Sequence, residues 1–567
     1  AHCEKAQNRM KFYIKLKVLW YIFIILQVFP TNAQNTPCNL REYPDGYVCV
    51  CTKANCDFLD ENVDNPNESD IVIVSSSQAG LRFNVSKFSW PISSTGNFII
   101  DDLVERVPQV SLVDGPIGNF FADFLKPKQV TVNVDPSIKY QRVAGFGGAF
   151  TGAVSYNLDQ LSDELQDFLY KSYYSRSGIG YNFMRIPIGG CDFDLEPWAY
   201  NESPQDDARL SNFSSLDPRD LELIRKIKHL QLISGNNQIK FLASAWSSPI
   251  WMKTNNDWTG ASSLKEQYYQ TWADYHVRFV DLMAKSGINL WGITTGNEPM
   301  NGVIGWLFVH FMSLGWTARS QAIWVSDHLA PALRNSPYSN LMILAGDDQR
   351  YTFPWWFHEM EATRPNVMND VDGFAVHWYW DRFVPPLVLD TTQMTFPDKL
   401  ILNTESSIGD KPLQVHGPIL GSWSRAEEYI MAYMQDLQHS VNGWIDWNLL
   451  LDEQGGPNYV NNFVESAIIV NKTSDEAYKQ PLFYVIGHFS RFIQENSIRI
   501  RTKSSDSHVD VVGFQRPDSK IILVIYNKKQ TAVNIALNFP QRPTVNIMIP
   551  GKSIHSVIFS DTNLNFV

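Results

Sequence analysis

INLWGITTGNEP, residues 288–299, reads as a buried strand that stops on a carboxylate. Ile288, Leu290, Trp291 and Ile293 form its apolar run, Gly296 and Pro299 mark a turn, and Asn297 and Glu298 are presented where the core ends. The stretch is one of a series. A helix is expected over 218–234: Asp217 caps it, Pro218 fills the first turn, Leu223, Ile224, Ile227 and Leu230 share a face, and Gly235 ends it. The strand QIKFLASAW (238–246) follows at once. Between about 137 and 490 the other strands are RVAGFGGAF (142–150), YNFMRIPIG (181–189), NLMILAGDD (340–348), VDGFAVHWYW (371–380), KLILNTESS (399–407) and VNGWIDWNLLL (441–451). Eight strand–helix units predict an α/β fold, a (β/α)8 TIM barrel over 137–490. An open doubly wound sheet is the rival, but GFGGAF lacks the G-x-G-x-x-G spacing of its dinucleotide loop.

The flanks differ. Residues 61–136 carry short alternating strands, DIVIVSS and QVTVNV, and residues 491–567 add SIRIRTK, HVDVVGF, KIILVIYNKK, TAVNIALNF, PTVNIMIPG and SIHSVIFS. That alternation predicts a β-sandwich domain built from both termini. Residues 34–60 form a small disulfide-bonded segment, with cysteines in CNLREYPDGYVCVCTKANC (38–56). The paired C-x2-C spacing of a zinc site is absent. Cys38, Cys49, Cys51 and Cys56 allow three pairings. Neighbour pairs, Cys38–Cys49 and Cys51–Cys56, are expected, because Cys49 and Cys51 point the same way along a strand and are too close to bond each other. Cys191 is left as a buried thiol.

Residues 1–33 are expected to be leader and signal peptide, with Met10 as the start. Lys11, Lys15 and Lys17 precede the apolar VLWYIFIILQVF (18–29), and small residues surround a cut after Ala33. That run is too short to span about 30 Å of hydrocarbon. Glycosylation sequons begin at Asn67, Asn84, Asn201, Asn212 and Asn471. The net charge of −12 over 567 residues excludes nucleic acid as a partner, since nothing would neutralise phosphates. Aromatic residues reach 13%, with 18 Trp; most are core, yet rings in clefts also grip sugar faces.

In a barrel, chemistry belongs at the carboxyl ends of the strands. Those ends carry Asp192, Trp246, Asn297 and Glu298, Asp347 to Arg350, His377 to Tyr379, Glu405, and Trp447 with Asn448. Glu405 is the expected partner of Glu298, because the two strands can face each other across the mouth. Two carboxylates about 5 Å apart suit a retaining glycosidase, one attacking the sugar carbon and the other protonating the departing oxygen. Each feature has a bland reading: a strand-end Glu as a salt-bridged cap, His377 as a satisfied core histidine, DDQR as an ion-pair cluster. The coincidence of acid, amide and aromatic plates at one rim favours the chemistry.

Ordered segments along almost the whole mature chain then resemble the lysosomal acid β-glucosidases, or glucosylceramidases, of glycoside hydrolase family 30. They include GFGGAFT, GIGYNFMRIPIGGCDF, LASAWSSPIWMKTN, TGNEP, DDQR, AVHWY, LNTESS and GWIDWNLLLDEQGGPNYVNNFV. The resemblance implies Glu298 as general acid/base and Glu405 as nucleophile. It places Asn297 on the sugar's 2-hydroxyl, and Asp192, Trp246, Trp447 and Asn462 around the ring. His377, Trp378 and Tyr379 would back the pair, Tyr379 reaching the nucleophile, while Arg350 balances charge at the rim. It implies hydrolysis of glucosylceramide with retention, without metal or organic cofactor, and a lysosomal location, with an extracellular one as the alternative. The partners implied are a glycosphingolipid held in a membrane, a saposin-like activator protein and peripheral membrane contact. A relative acting on soluble β-glucosides, glucans or xylans, and a non-catalytic glycan-binding protein, are the other readings. The chain departs from the family pattern at Gly152, an acid there, at Ser407, a Cys in the close mammalian pattern, and through MNGVIGWLFVHFMSLGW (300–316).

Overall fold

Every one of the eight expected strands forms, and together they close a parallel barrel in chain order. They are β1 (Gly145–Ala149), β2 (Phe183–Pro187), β3 (Lys240–Ser244), β4 (Leu290–Thr294), β5 (Met342–Gln349), β6 (Gly373–His377), β7 (Leu400–Glu405) and β8 (Gly443–Asn448). The computed structural model describes residues 35–90, 97–99, 129–304, 309–409 and 414–561, so the expected leader over 1–33 and part of the entrance loop lie outside the described residues. Helix α1 (Pro218–Ser234) starts where the Asp217 carboxylate accepts from the Arg219 amide at 2.9 Å, and ends on Gly235 at φ +70°. A short α2 (Pro299–Ile304) follows β4, and α3 (Pro481–Ser490) lies beyond the barrel's last strand.

The barrel interior is layered by the two-residue period of its strands. Phe183, Leu242, Leu344, Ala375, Leu402 and Ile445 form a buried apolar layer. Two residues further along, the same inward rows present Arg185, Ser244, His377, Thr404 and Trp447. An apolar plug therefore carries a polar floor directly above it, at the carboxyl end where the fold leaves an opening.

The expected sandwich also forms. One sheet runs through strands 84–89, 70–77, 553–560, 520–527, 509–515, 498–504, 129–142, 533–538, 545–549 and 97–99. It folds over on itself, because Ile71, Ile73, Leu523, Val533 and Ile535, from distant strands of that order, share one core. The alternate residues Val72, Val74, Val512 and Val524 face the barrel's core instead. The cysteine-rich segment does not stand alone. Its strands 40–43 and 46–52 pair onto 476–479, 468–471 and 450–452, a sheet shared with the chain beyond β8. Cys38–Cys49 and Cys51–Cys56 are bonded as expected, and Cys191 is a buried free thiol. Among the sequons, Asn67 and Asn212 are exposed and Asn84 and Asn471 half-buried. Asn201 is buried, and its amide donates to the Asp207 carbonyl at 3.1 Å.

Asp64 holds the units together. Its fully buried carboxylate accepts from Arg516 (2.6 Å), Arg491 (3.1 Å) and Arg176 (3.2 Å), which come from the sandwich, the end of α3 and the barrel. Burial alone would raise this carboxyl, but Arg491, Arg516 and Arg176 outweigh it and hold it down at about 2. The stability it adds is present above the ordinary carboxyl range and is lost only as pH falls towards 2, so the clamp persists in mild acid. Asp64→Asn removes the anion that three arginines share, and of the three only Arg516 keeps another anion among the described residues, Asp518 at 2.6 Å. It should lower unfolding free energy by about 3–5 kcal/mol, read by urea titration, and an unchanged midpoint would remove the clamp from the account.

Candidate active site

A cavity of about 380 Å3 opens at the carboxyl end of the barrel, lined by Asp192, Trp246, Asn297, Glu298, Tyr379, Glu405, Trp447 and Asn462 among others. All eight residues expected to act on or hold a sugar are thus brought to one place. At its floor an oxygen of Glu298 and an oxygen of Glu405 lie within 4.8 Å of each other.

The floor is organised by Asp347, a fully buried carboxylate on β5. Its Oδ2 accepts from Arg185 (3.0 Å), Ser244 (2.7 Å) and Thr294 (2.7 Å), and its Oδ1 from His377 (3.1 Å) and Thr404 (2.7 Å). Burial opposes this charge, yet Arg185 and His377 hold the carboxyl far below its ordinary range. Getting it there takes backbone distortion. Asp347 sits at φ +57° beside Gly346 at φ +91°, and the β5–β6 register shifts at the same place, a bulge that re-aims the side chain.

Two cations reach from the hub to the carboxylates. Arg185 on β2 donates to Glu405 Oε2 and to Asn297 Oδ1 (2.8 Å), with its guanidinium over Trp246 at 4.7 Å and Trp447 at 5.4 Å. His377 donates from Nδ1 to Glu298 Oε1 (2.9 Å) and from Nε2 to Asp347. Burial alone would lower the imidazole; Glu405, Asp347 and Glu298 overcome that and push it up to about 10, so it is a cation. Glu298, His377 and Glu405 could face one metal ion, but a histidine with both nitrogens donating is no ligand. Tyr379 donates to Glu405 Oε1 at 2.8 Å, as the resemblance implied. Burial raises Glu405 above its ordinary value, against His377 and Arg185 and with the neighbouring Glu298. Glu298, at φ +44°, receives Gln349 (2.6 Å) and Asn301, and its amide donates to the Asp347 carbonyl at 2.8 Å. Such strain at two joined residues marks a functional place.

The walls complete the pocket. Trp246 and Trp447 stack at 5.3 Å, and Phe193 meets Trp447 edge-on at 5.8 Å. Asp192 is pushed up to about 8, first by burial, then by Glu405 and Glu298. Asn458 reaches it at 3.4 Å. Trp378 stands behind the site and donates to the Ser407 carbonyl at 2.9 Å. Ser407 is buried, its hydroxyl donating to the Glu465 carbonyl at 2.9 Å. Arg350 points away from the cavity: it pairs with Asp436 and Asp381 and ties the loop after β6 to the helix at 423–438. The guanidinium beside the carboxylates is that of Arg185, which sequence reading passed over although an arginine inside FMRIP was its signal. Gly152 also has a reason. A Cβ there would fall 1.7 Å from Asp194 Oδ1, so Asp194 fills the room an acid at 152 would need.

Arg185→Met strips Asp347 and Glu405 of their shared cation. Unfolding free energy should fall by about 3–5 kcal/mol and turnover by about 10²–10³; retention of both would separate this contact from the chemistry. The buried acids also set a pH dependence. Asp220, Asp348 and Asp446 are pushed up to about 7 and Asp192 to about 8, each first by burial. A carboxyl raised in the folded state adds stability that is complete below the unfolded value and lost as pH rises through 7–8. His276 and His555, lowered by burial to about 4 and about 3, and His488, lowered likewise, act oppositely below the ordinary histidine value. Each group contributes about 1.4 kcal/mol per pH unit in its window, and the four carboxyls, whose windows reach to pH 7–8, outweigh the three histidines. Calorimetry should find the protein more stable at about pH 5 than at about pH 7.5.

Comparison with known proteins agrees with the fold. Residues 143–493 match the profile described as the glycosyl hydrolase family 30 TIM-barrel domain, and 496–557 that of the family 30 beta sandwich domain. The lysosomal acid glucosylceramidase of Mus musculus is 35% identical, covering 95% of this chain and 98% of its own. Putative glucosylceramidase 4 of Caenorhabditis elegans is 34% identical, covering 96% and 99%. The crystal structure of SrfJ from Salmonella typhimurium superposes with a TM-score of 0.72 at 23% identity, covering 87% of this chain and 100% of its own, which shows the shared fold. A barrel that gathers two carboxylates at its carboxyl end, joined to a sandwich from both termini, makes this chain a glycoside hydrolase, a member of glycosyl hydrolase family 30.

Proposed function

We propose that the protein is a retaining β-glucosidase that hydrolyses glucosylceramide to glucose and ceramide. The observation carrying this is the approach of the Glu298 and Glu405 oxygens to within 4.8 Å at the floor of an open cavity. That spacing suits direct attack and leaves no room for the interposed water of an inverting enzyme. Glu405, held by Arg185 and Tyr379, attacks the anomeric carbon. Glu298 gives its proton to the glycosidic oxygen, and ceramide departs. With the nucleophile now a neutral ester, Glu298 takes a proton from water, which opens the ester and releases glucose. Asn297, whose Oδ1 is occupied by Arg185, keeps its Nδ2 for the sugar's 2-hydroxyl. Asp192 and Asn462 meet the other hydroxyls, and Trp246 and Trp447 the ring face.

The lipid reading follows the substrate carried in the names of the mouse and nematode relatives. It is supported by the rim, where Trp380, half exposed, and Phe383, 71% exposed, lie together after β6, with Val303 and Ile304 exposed on α2. Apolar groups there suit a membrane surface or a saposin-like activator. A lysosomal site fits stability gained in mild acid.

A 2-deoxy-2-fluoro-β-glucoside with a good leaving group should stop turnover and leave a fluoroglucosyl label that peptide mass mapping places on Glu405. Label on any other residue overturns the assignment. Glu405→Gln should lose turnover by several orders of magnitude. Release of sugar from soluble β-glucan but none from glucosylceramide micelles would move the protein to the polysaccharide-cleaving side of the family.

A further inference from the structure

The two oxygens of Glu298 are not equivalent. Gln349 Nε2 (2.6 Å) and His377 Nδ1 (2.9 Å) both donate to Oε1, while Oε2 is met by Asn301 Nδ2. Two donors occupy both lone pairs of Oε1, so a proton leaves or arrives at Oε2, the oxygen that Asn301 touches. Glu298 and Asn301 both line the cavity. Asn301 stands one turn along α2, and its amide N–H donates to the Glu298 carbonyl at 2.9 Å. The turn is pinned from two sides. Met300 donates its N–H to Asp348 Oδ2 at 2.8 Å, and a Cβ on Gly302 would fall 2.0 Å from the Gly315 nitrogen, so the two backbones touch.

We propose that Asn301 is a positioning residue for the proton of Glu298, an inference that rests on the acid/base role given to Glu298 above. When the glycosidic C–O bond breaks, its electron pair stays on the leaving oxygen, which takes the proton from Oε2. Oε2 is left anionic, and the Asn301 bond to it becomes charge-assisted, about twice as strong as its neutral form. The amide therefore favours loss of the proton in the first half-reaction. It opposes recovery of a proton from water in the second.

The charged and titratable groups that face Glu298 stay in place when Asn301 changes. They are His377 and Glu405, Asp192 on the far wall, and Asp348 and Tyr351 on the β5 side, with Asp347 and Arg185 in the hub. Asn301→Ala alters no formal charge, so its effect reports on the hydrogen bond.

The test compares an alkyl β-glucoside, whose leaving group must be protonated, with 2,4-dinitrophenyl β-glucoside, whose leaving group need not be. Asn301→Ala should lower kcat/KM about tenfold on the alkyl substrate, with a loss several times smaller on the dinitrophenyl one. The alkaline limb of the pH profile should move up by about one unit, because Oε2 without its donor holds the proton to higher pH. Asn301→Asp, which adds an anion, should move that limb further. Equal losses on both substrates, or an unmoved limb, would mark Asn301 as merely structural and overturn the inference. Glu298→Gln is the control for the reading beneath it. If it lacks the same substrate split, the acid/base assignment fails; if it shows the split and Asn301→Ala does not, the role of Asn301 alone falls.

Discussion

A single buried anion sets the geometry of this barrel. Asp347 receives hydrogen bonds from side chains of β2, β3, β4, β6 and β7, so most of the closed sheet converges on it. Its partners include both cations of the floor, and each cation is shared. Arg185 spans Asp347 and Glu405; His377 spans Asp347 and Glu298. The separation of the Glu298 and Glu405 carboxyls is thus fixed through a third carboxyl that touches neither. Charges this deep are tolerated because each is paired and hydrogen-bonded, and removing one partner costs more than the pair contributes.

The same arrangement explains where the backbone is strained. A regular strand would point Asp347 away from the axis, since neighbours on a strand face opposite sides. The bulge at Gly346–Asp348 corrects that, and the left-handed φ of Glu298 turns its side chain over the hub while its amide is anchored on Asp347. Further register shifts fall at Val376/His377 and Asp446/Asn448, again at the carboxyl ends. Irregularity is concentrated where function needs particular directions, and the Asp347 network supplies the contacts that hold it.

Much of this was legible beforehand. Continuous apolar runs stopping on polar residues are a local pattern, so all eight barrel strands and the cap and stop of α1 could be placed from the chain alone. Glu298, Glu405, Asp192, Asn297, Tyr379 and Trp447 were found because each follows such a run. What stayed hidden depends on pairing across distance. Nothing local tells that strands 40–43 and 46–52 join strands 450–452 and 468–479, or that Arg350 turns outward to Asp436. Arg185 escaped because a charge inside an apolar strand is overlooked when ends are being read. Gly152 made sense only when Asp194, forty residues on, was seen to fill its space.

Floor and mouth are built on different physics, and that bears on how such an enzyme can change. On the floor the charged groups share their partners, Arg185 and His377 each spanning two carboxylates, so a substitution there breaks more than one charge pair at once. At the mouth, Trp380 and Phe383 meet each other and solvent, with Tyr351 edge-on to Trp380 at 5.7 Å, and under the proposed function a swap there alters contact with a leaving group while the hub stays intact. Asn301 lies between these regimes. It touches an oxygen of Glu298, yet it sits on a short helix whose anchors include the Met300 N–H on Asp348, the Ser262 N–H on the Gly302 carbonyl at 2.8 Å and the close approach of Gly302 to Gly315. Such a position can shift the balance between giving and taking a proton without disturbing Asp347. The choice of leaving group can then drift along the rim while cleavage of the glycosidic bond remains set from below.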